Sequence, residues 1–72
     1  MDIQDKVFIF CENVRRWREN AGLSLLELSQ RSGIRLKLLE PLDQGRLPHS
    51  LMVADASSLA KVFGCDMSDL FQ

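Results

Sequence analysis

An apolar stripe of helical period runs through the first part of the chain. Apolar residues recur three or four positions apart, at Ile3, Val7, Phe10, Val14, Trp17 and Ala21. This spacing places all of them on one face of an α-helix. The sequence therefore predicts a first helix over residues 5–20 that buries this stripe and stops at Gly22.

Two further helices are predicted directly after this one. Ser24-Leu25-Leu26-Glu27 is a capping box, in which the serine hydroxyl accepts the amide of the glutamate and the glutamate accepts the serine amide. This second helix should end near Gly33. A third helix is predicted over residues 35–42, closed by Gly45. Pro41 should bend or loosen its last turn, because proline lacks an amide and crowds the carbonyl four residues back.

The rest of the chain carries two more helical segments. A fourth helix is predicted over residues 51–63, ended by Gly64, with an inward face made of Met52, Ala56, Leu59, Ala60 and Phe63. Asp66 can cap a last turn that carries Met67, Leu70 and Phe71. Five short helices predict an all-α fold, and a length of 72 residues allows one domain over residues 1–72.

The composition restricts the function classes. Apolar residues make up 46% of the chain, which is enough for a small core. The longest apolar run, residues 7–11, is too short to span a bilayer, so we expect a soluble, cytoplasmic protein without a membrane partner. Two cysteines outside a CxxC pair and the single His49 do not make a metal site, and no residues fill the roles of a catalytic centre. We therefore expect no metal, no cofactor and no enzyme activity.

The charges are balanced in number but uneven in position. The net charge of −1 does not by itself indicate a nucleic-acid binder. Eight of the nine Lys and Arg residues lie at or before Arg46, whereas Asp55, Asp66 and Asp69 lie in the last third. One end of the chain is therefore locally basic and the other acidic.

The order of several short motifs resembles that of a known family. Two helices joined by a short turn with Gly33 make a helix-turn-helix pattern over residues 24–42. Asp43-Gln44-Gly45 stands where the family usually has Glu-x-Gly. Further segments that match the family in order and spacing are residues 17–24, 28–34, 59–64 and 68–71. Over about residues 14–71 the chain resembles the phage-repressor (Cro/repressor, Xre-type) helix-turn-helix domains.

This resemblance implies a sequence-specific transcriptional regulator whose third helix enters the major groove of double-stranded DNA, with a homodimer bound to paired half-sites. The residues at the expected DNA-facing positions are Leu25, Arg35, Leu36, Lys37 and Glu40, with Arg46 available to a phosphate. Two features depart from the family. Its second helix often opens with a polar residue where this chain has Leu25, and the loop after Gly45 is about two residues longer than usual.

The resemblance also implies an internal ion pair. In the family, an arginine at the end of the first helix pairs with an acid at the end of the third. Arg18 and Asp43 occupy these positions here. We therefore expect a salt bridge between them that is at least partly buried.

Two groups of apolar residues leave alternatives open. Leu25, Leu26, Leu36 and Leu38 are either tolerated surface residues or the contact surface of a protein partner, since small domains seldom expose contiguous apolar patches. The second alternative describes a protein-interaction or dimerisation module that keeps the fold but no longer recognises DNA bases. Phe8, Ile9 and Cys11 are expected to join the core, with a dimer seam as the alternative.

Overall fold

The protein is all-α. The structure, a computed structural model, describes residues 3–72 and the side chains from Asp5 onward. Four α-helices and one short 3-10 helix make up its regular structure, and residues 3–72 contain no strand: α1 (Ile3–Asn20), α2 (Leu25–Ser32), α3 (Leu36–Asp43), α4 (Val53–Phe63) and the C-terminal 3-10 helix (Met67–Phe71). None of these helices is long and apolar enough to cross a membrane.

The predicted stripe of α1 faces the core through most of its length. Phe10 and Val14 are buried, and Val7 and Trp17 pack against the core from its edge. The side chain of Ile3 lies outside the described residues. The prediction was wrong for Ala21, which is exposed because the helix ends one residue before it.

The residues that flank this stripe have different environments. Cys11 is part of the core, whereas Ile9 is only partly buried and Phe8 is 60% exposed. The expectation that all three join the core is therefore wrong for Phe8. A helix with core contacts along one stripe cannot also bury a residue that lies far around its circumference.

The third helix begins one residue later than predicted. Arg35 is the N-cap, with an extended backbone, and α3 starts at Leu36. The helix continues through Pro41, so the expected loosening does not shorten it. It ends in a Schellman motif, in which Gly45 N–H donates to Leu42 O (3.1 Å) and Arg46 N–H donates to Pro41 O (2.8 Å).

The fourth helix begins two residues later than predicted, at Val53. The N-cap position belongs to Met52, whose N–H donates to Asp55 Oδ2 at 2.9 Å. The side chain of Met52 is 69% exposed, which contradicts its predicted place on the inward face. Ala56, Leu59 and Ala60 on that face are buried as predicted. A residue at the cap lies outside the helical register, so the period cannot place its side chain.

One core joins all five elements. Its least exposed leucines come from four of them: Leu28, Leu39, Leu42, Leu59 and Leu70. Two aromatic contacts close its ends. Phe10 stacks on Phe71 with ring centroids 4.9 Å apart, and Trp17 stacks on Phe63 at 6.0 Å. Because α2 and α3 both pack on this core, the first turn of α3 projects from a fixed position.

Candidate nucleic-acid interface

The start of α2 is fixed by the predicted capping box. Glu27 N–H donates to Ser24 Oγ at 3.0 Å, and Ser24 N–H donates to Glu27 Oε1 at 2.9 Å. The amide of Ser24 lowers the pKa of the Glu27 carboxyl below its ordinary value, and the Ser24 hydroxyl adds to this effect. The box satisfies two amides that a helix of this length would otherwise leave to water.

Hydrogen bonds also fix the turn between α2 and α3. Gly33 adopts the left-handed conformation, with φ of 78°, and its amide donates to Ser29 O. The Ser29 hydroxyl donates to Ile34 O, and the Ser32 hydroxyl accepts Ile34 N–H at 3.1 Å. Ile34 itself is buried in the core. A turn anchored by one buried residue and three bonds gives α3 a defined direction relative to α2.

Two cations lie at the start of α3. Arg35 and Lys37 are both exposed. The Arg35 side chain makes no capping bond. The Leu38 amide donates to Arg35 O at 2.9 Å, so the first-turn amides that remain available beside these charges are those of Leu36 and Lys37. A helix N-terminus with free amides and adjacent cations favours an anion.

The cations line a polar recess that the sequence did not reveal. This recess measures about 390 Å³ and lies between the α2–α3 turn and the start of α4. Ser50 and Asp55 form its other side. Asp55 is partly buried and is committed to the cap of α4, where its carboxylate accepts Met52 N–H. The sequence did not indicate the role of Asp55, because a methionine at the N-cap position does not mark a helix start.

The remaining predicted DNA-facing residues are not equivalent. Leu36 is 37% exposed and Glu40 is exposed one turn further along α3. Arg46 is exposed in the following loop, and its guanidinium donates to Gln44 Oε1. Leu25 is only partly exposed and packs against the core. Leu36, Lys37 and Glu40 thus lie on α3 with Arg35 at its N-cap, whereas Leu25 contributes to the packing of α2.

The four leucines of the protein-interaction hypothesis divide in the same way. Leu26 is 55% exposed and Leu36 is 37% exposed. Leu25 and Leu38 pack against the core at its edge. The apolar surface available around α2 and α3 is therefore smaller than four leucines would supply.

The expected ion pair is present beneath this region. Arg18 Nη2 lies 3.1 Å from Asp43 Oδ1, with the two side chains 15% and 26% exposed. Arg18 Nη1 also donates to Leu23 O at 2.8 Å. The guanidinium therefore ties the end of α1 and the loop that follows it to the end of α3. This contact holds α3 from the end opposite to its cations.

The two thiols are not activated. Burial raises the pKa of the Cys11 thiol, and the neighbouring Glu12 raises it further. Burial also raises the pKa of Cys65, with added contributions from Asp69 and Asp66. Both cysteines therefore stay protonated at neutral pH, where a thiol is a weak nucleophile.

Comparison with protein-family models, with curated proteins and with solved structures finds no match to this chain.

Proposed function

We propose that the protein is a sequence-specific DNA-binding regulator of the helix-turn-helix type. In this proposal α3 enters the major groove of double-stranded DNA, and two copies bind paired half-sites about one helical turn apart. The order of motifs that resembles the phage-repressor family supports it, and so does the short, fixed turn between α2 and α3.

The observation that carries the proposal is the pair of exposed cations at the uncapped start of α3. Arg35 and Lys37 lie where a helix that enters the groove N-terminus first would meet base edges and phosphates. Arginine and lysine can donate to guanine, and the free amides of Leu36 and Lys37 can donate to a phosphate. Leu36 lies between them and can contact the methyl group of thymine.

A salt titration tests this function directly. Affinity for random-sequence duplex should fall with salt, with log K against log salt sloping by about −0.9 for each phosphate that the protein neutralises. If Arg35 or Lys37 contacts phosphate, its replacement by alanine should weaken binding and flatten the slope by about one unit. Selection from the random pool then shows whether binding is sequence-specific.

Lys61 supplies the matched control. It is an exposed lysine in the last turn of α4 and does not line the recess at α3. Lys61→Ala removes the same charge as Lys37→Ala and should leave the slope unchanged. Equal losses of affinity in Lys37→Ala and Lys61→Ala would place the DNA-binding surface outside α3. An absence of binding to duplex DNA at low salt would refute the proposed function.

A second candidate function has an observation in its favour. Glu40 on α3 and Asp55 in the recess place negative charge beside the two cations, and Leu26 and Leu36 are exposed nearby in sequence. This mixture also fits a protein-interaction module. Leu36→Gln separates the two functions, because it adds a donor and an acceptor for DNA but removes an apolar anchor from a protein contact.

A further inference from the structure

An apolar concave surface of the described residues has neither of the α3 cations in its lining. It is a groove of about 430 Å³ between α1, α4, the C-terminal 3-10 helix and the loop before α4. Phe10 and Ala56 line it as buried residues. Its rim consists of exposed apolar side chains, namely Leu47, Met52, Val53, Met67 and Phe71. We refer to these seven residues as the groove patch.

The exposed fractions of the rim are high for apolar residues. Val53 is 74% exposed, Met52 is 69% exposed and Leu47 is 44% exposed. With about 150–200 Å² for a fully exposed large side chain, the rim presents on the order of 500 Å² of apolar surface. Monomeric proteins rarely leave a larger patch in water, and patches of this size are often functional.

This area is close to what a small dimer needs. Specific interfaces at the lower end of the stable range bury about 600 Å² on each partner. The groove patch supplies most of that area, and the polar residues around it can supply the rest. A small apolar ligand in the groove would not account for the rim, because the protruding side chains of Met52 and Val53 would remain in water.

The groove patch has the two features that a self-complementary contact needs. It contains both a hollow, above Phe10 and Ala56, and protruding side chains, Met52 and Val53. In a two-fold contact the protrusions of each copy meet the hollow of the other, since residue i contacts j and j contacts i. One surface can therefore satisfy both sides of the contact.

The charges permit the same arrangement. Lys6 is the one charged residue among those lining the groove, and Asp66 directly precedes the rim residue Met67. A two-fold contact allows Lys6 of one copy to approach Asp66 of the other. The chain carries a net charge of only −1, so two copies repel each other weakly.

We infer that the groove patch is the interface of a homodimer, with a second copy of this chain as its occupant. The inference deepens the proposed function, because it supplies the two copies on which paired half-site binding rests. The groove lining and the lining of the recess at α3 share no residue, so neither Arg35 nor Lys37 belongs to the inferred interface.

Two substitutions test the interface without threatening the fold. Val53 is the first residue of α4, where a carboxylate is favourable, so Val53→Glu places a charge in the interface at a permitted helix position. Met52 is the N-cap, for which serine is a better residue, so Met52→Ser removes a protrusion and improves the cap. Circular dichroism and thermal unfolding confirm that both variants fold.

Analytical ultracentrifugation of the full chain, without DNA, measures the result. We expect a concentration-dependent dimer whose Kd rises by about tenfold or more in each variant, since truncated or charged anchors at an interface centre commonly cost that much. Leu26→Glu is the matched control, because it puts the same charge into the first turn of α2 at an exposed leucine outside the groove. It should leave the Kd unchanged.

Three outcomes would overturn the inference. The wild-type chain could remain monomeric at about 1 mM, which would exclude even a weak dimer. The dimer could survive both groove variants, or it could be lost in Leu26→Glu instead, which would place the interface on α2. A monomeric chain would remove the preformed dimer from the proposed function, but none of these outcomes decides whether α3 binds DNA, which the salt titration with Arg35 and Lys37 variants tests separately.

Discussion

Among the hydrogen bonds that join two side chains in the described part of the chain, the one in the Arg18–Asp43 ion pair spans the greatest sequence separation. Its two partners lie 25 positions apart in sequence, and the arginine also holds Leu23 O. A pair 15% and 26% exposed lies between a solvated pair, worth less than about 1 kcal/mol, and a fully buried one, whose disruption costs about 3–5 kcal/mol. The pair therefore contributes to the free energy of unfolding in two ways. Its two charges attract each other, and Asp43 neutralises a guanidinium that is partly buried.

We expect Asp43→Asn to lower the free energy of unfolding by about 1–3 kcal/mol, because the partly buried guanidinium loses its counter-charge. Urea denaturation at pH 7 measures this loss. Glu12→Gln is the control, since Glu12 pairs with Arg15 on the surface of α1, with the two side chains 35% and 41% exposed. The control should change stability by less than about 0.5 kcal/mol. A loss in Asp43→Asn no larger than in Glu12→Gln would show that the pair contributes nothing.

Individual residues were predictable only where a period or a motif fixed their position. The period of α1 placed Phe10 and Val14 in the core correctly, since both lie well inside the helix. It failed for Ala21 and Met52, which lie just beyond the end of α1 and at the cap of α4. A hydrophobic pattern carries no information once the backbone leaves the helix, so errors collect at helix ends.

The ends of the helices were predicted more accurately than their starts. Helix ends were predicted well, because Gly22, Gly33, Gly45 and Gly64 all adopt positive φ at or beside a helix end. A start was predicted accurately where a capping box marks it, as at Ser24. At Arg35 and Met52 no side chain of a capping type is present, and both helix starts were placed too early.

The Ser24 cap should therefore have a measurable effect on stability. Ser24→Ala removes the acceptor of Glu27 N–H and should lower the free energy of unfolding by about 1 kcal/mol, because a helix as short as α2 depends on its cap. Chemical denaturation at neutral pH measures this loss. A neutral substitution would show that the Ser24 hydroxyl does not stabilise α2.

The pH dependence of the same cap provides a second readout. The folded pKa of Glu27 is lowered below its ordinary value, so the folded state favours the carboxylate. Its contribution to stability is complete above the unfolded pKa and disappears as the pH falls through the lower, folded pKa. Glu27→Gln should therefore lose this acid-dependent component, while the wild type keeps it. If the stability of the wild type and of Glu27→Gln depended on pH in the same way, the hydrogen bond from Ser24 N–H to the Glu27 carboxylate would be contradicted.

For the whole molecule, the sequence predicted the class of fold better than it predicted the surfaces. The periods and caps of the separate helices indicated an all-α chain, because each is a local feature. The recess with Ser50 and Asp55 and the groove between α1 and α4 could not be predicted in this way. Both are formed by segments that are distant in sequence and meet only when the core assembles.

The two proposals meet in one property of the assembled protein. If α3 reads a half-site and the groove patch joins two copies, the distance between the two α3 helices is fixed by the dimer. The wild type should then bind best when two copies of a selected half-site are spaced by about 10–10.5 base pairs or a multiple of that number, and more weakly at intermediate spacings.

Val53→Glu should abolish this dependence on spacing while it preserves binding to a single half-site, because Val53 lines the groove and not the recess at α3. Titration of duplexes whose half-sites differ only in separation measures both effects. The salt slope of the variant on a single half-site should match that of the wild type, since the phosphate contacts of one copy are unchanged. A wild type indifferent to spacing would mean that two bound copies do not contact each other through a fixed interface. A variant that keeps the spacing preference would place that interface outside the groove.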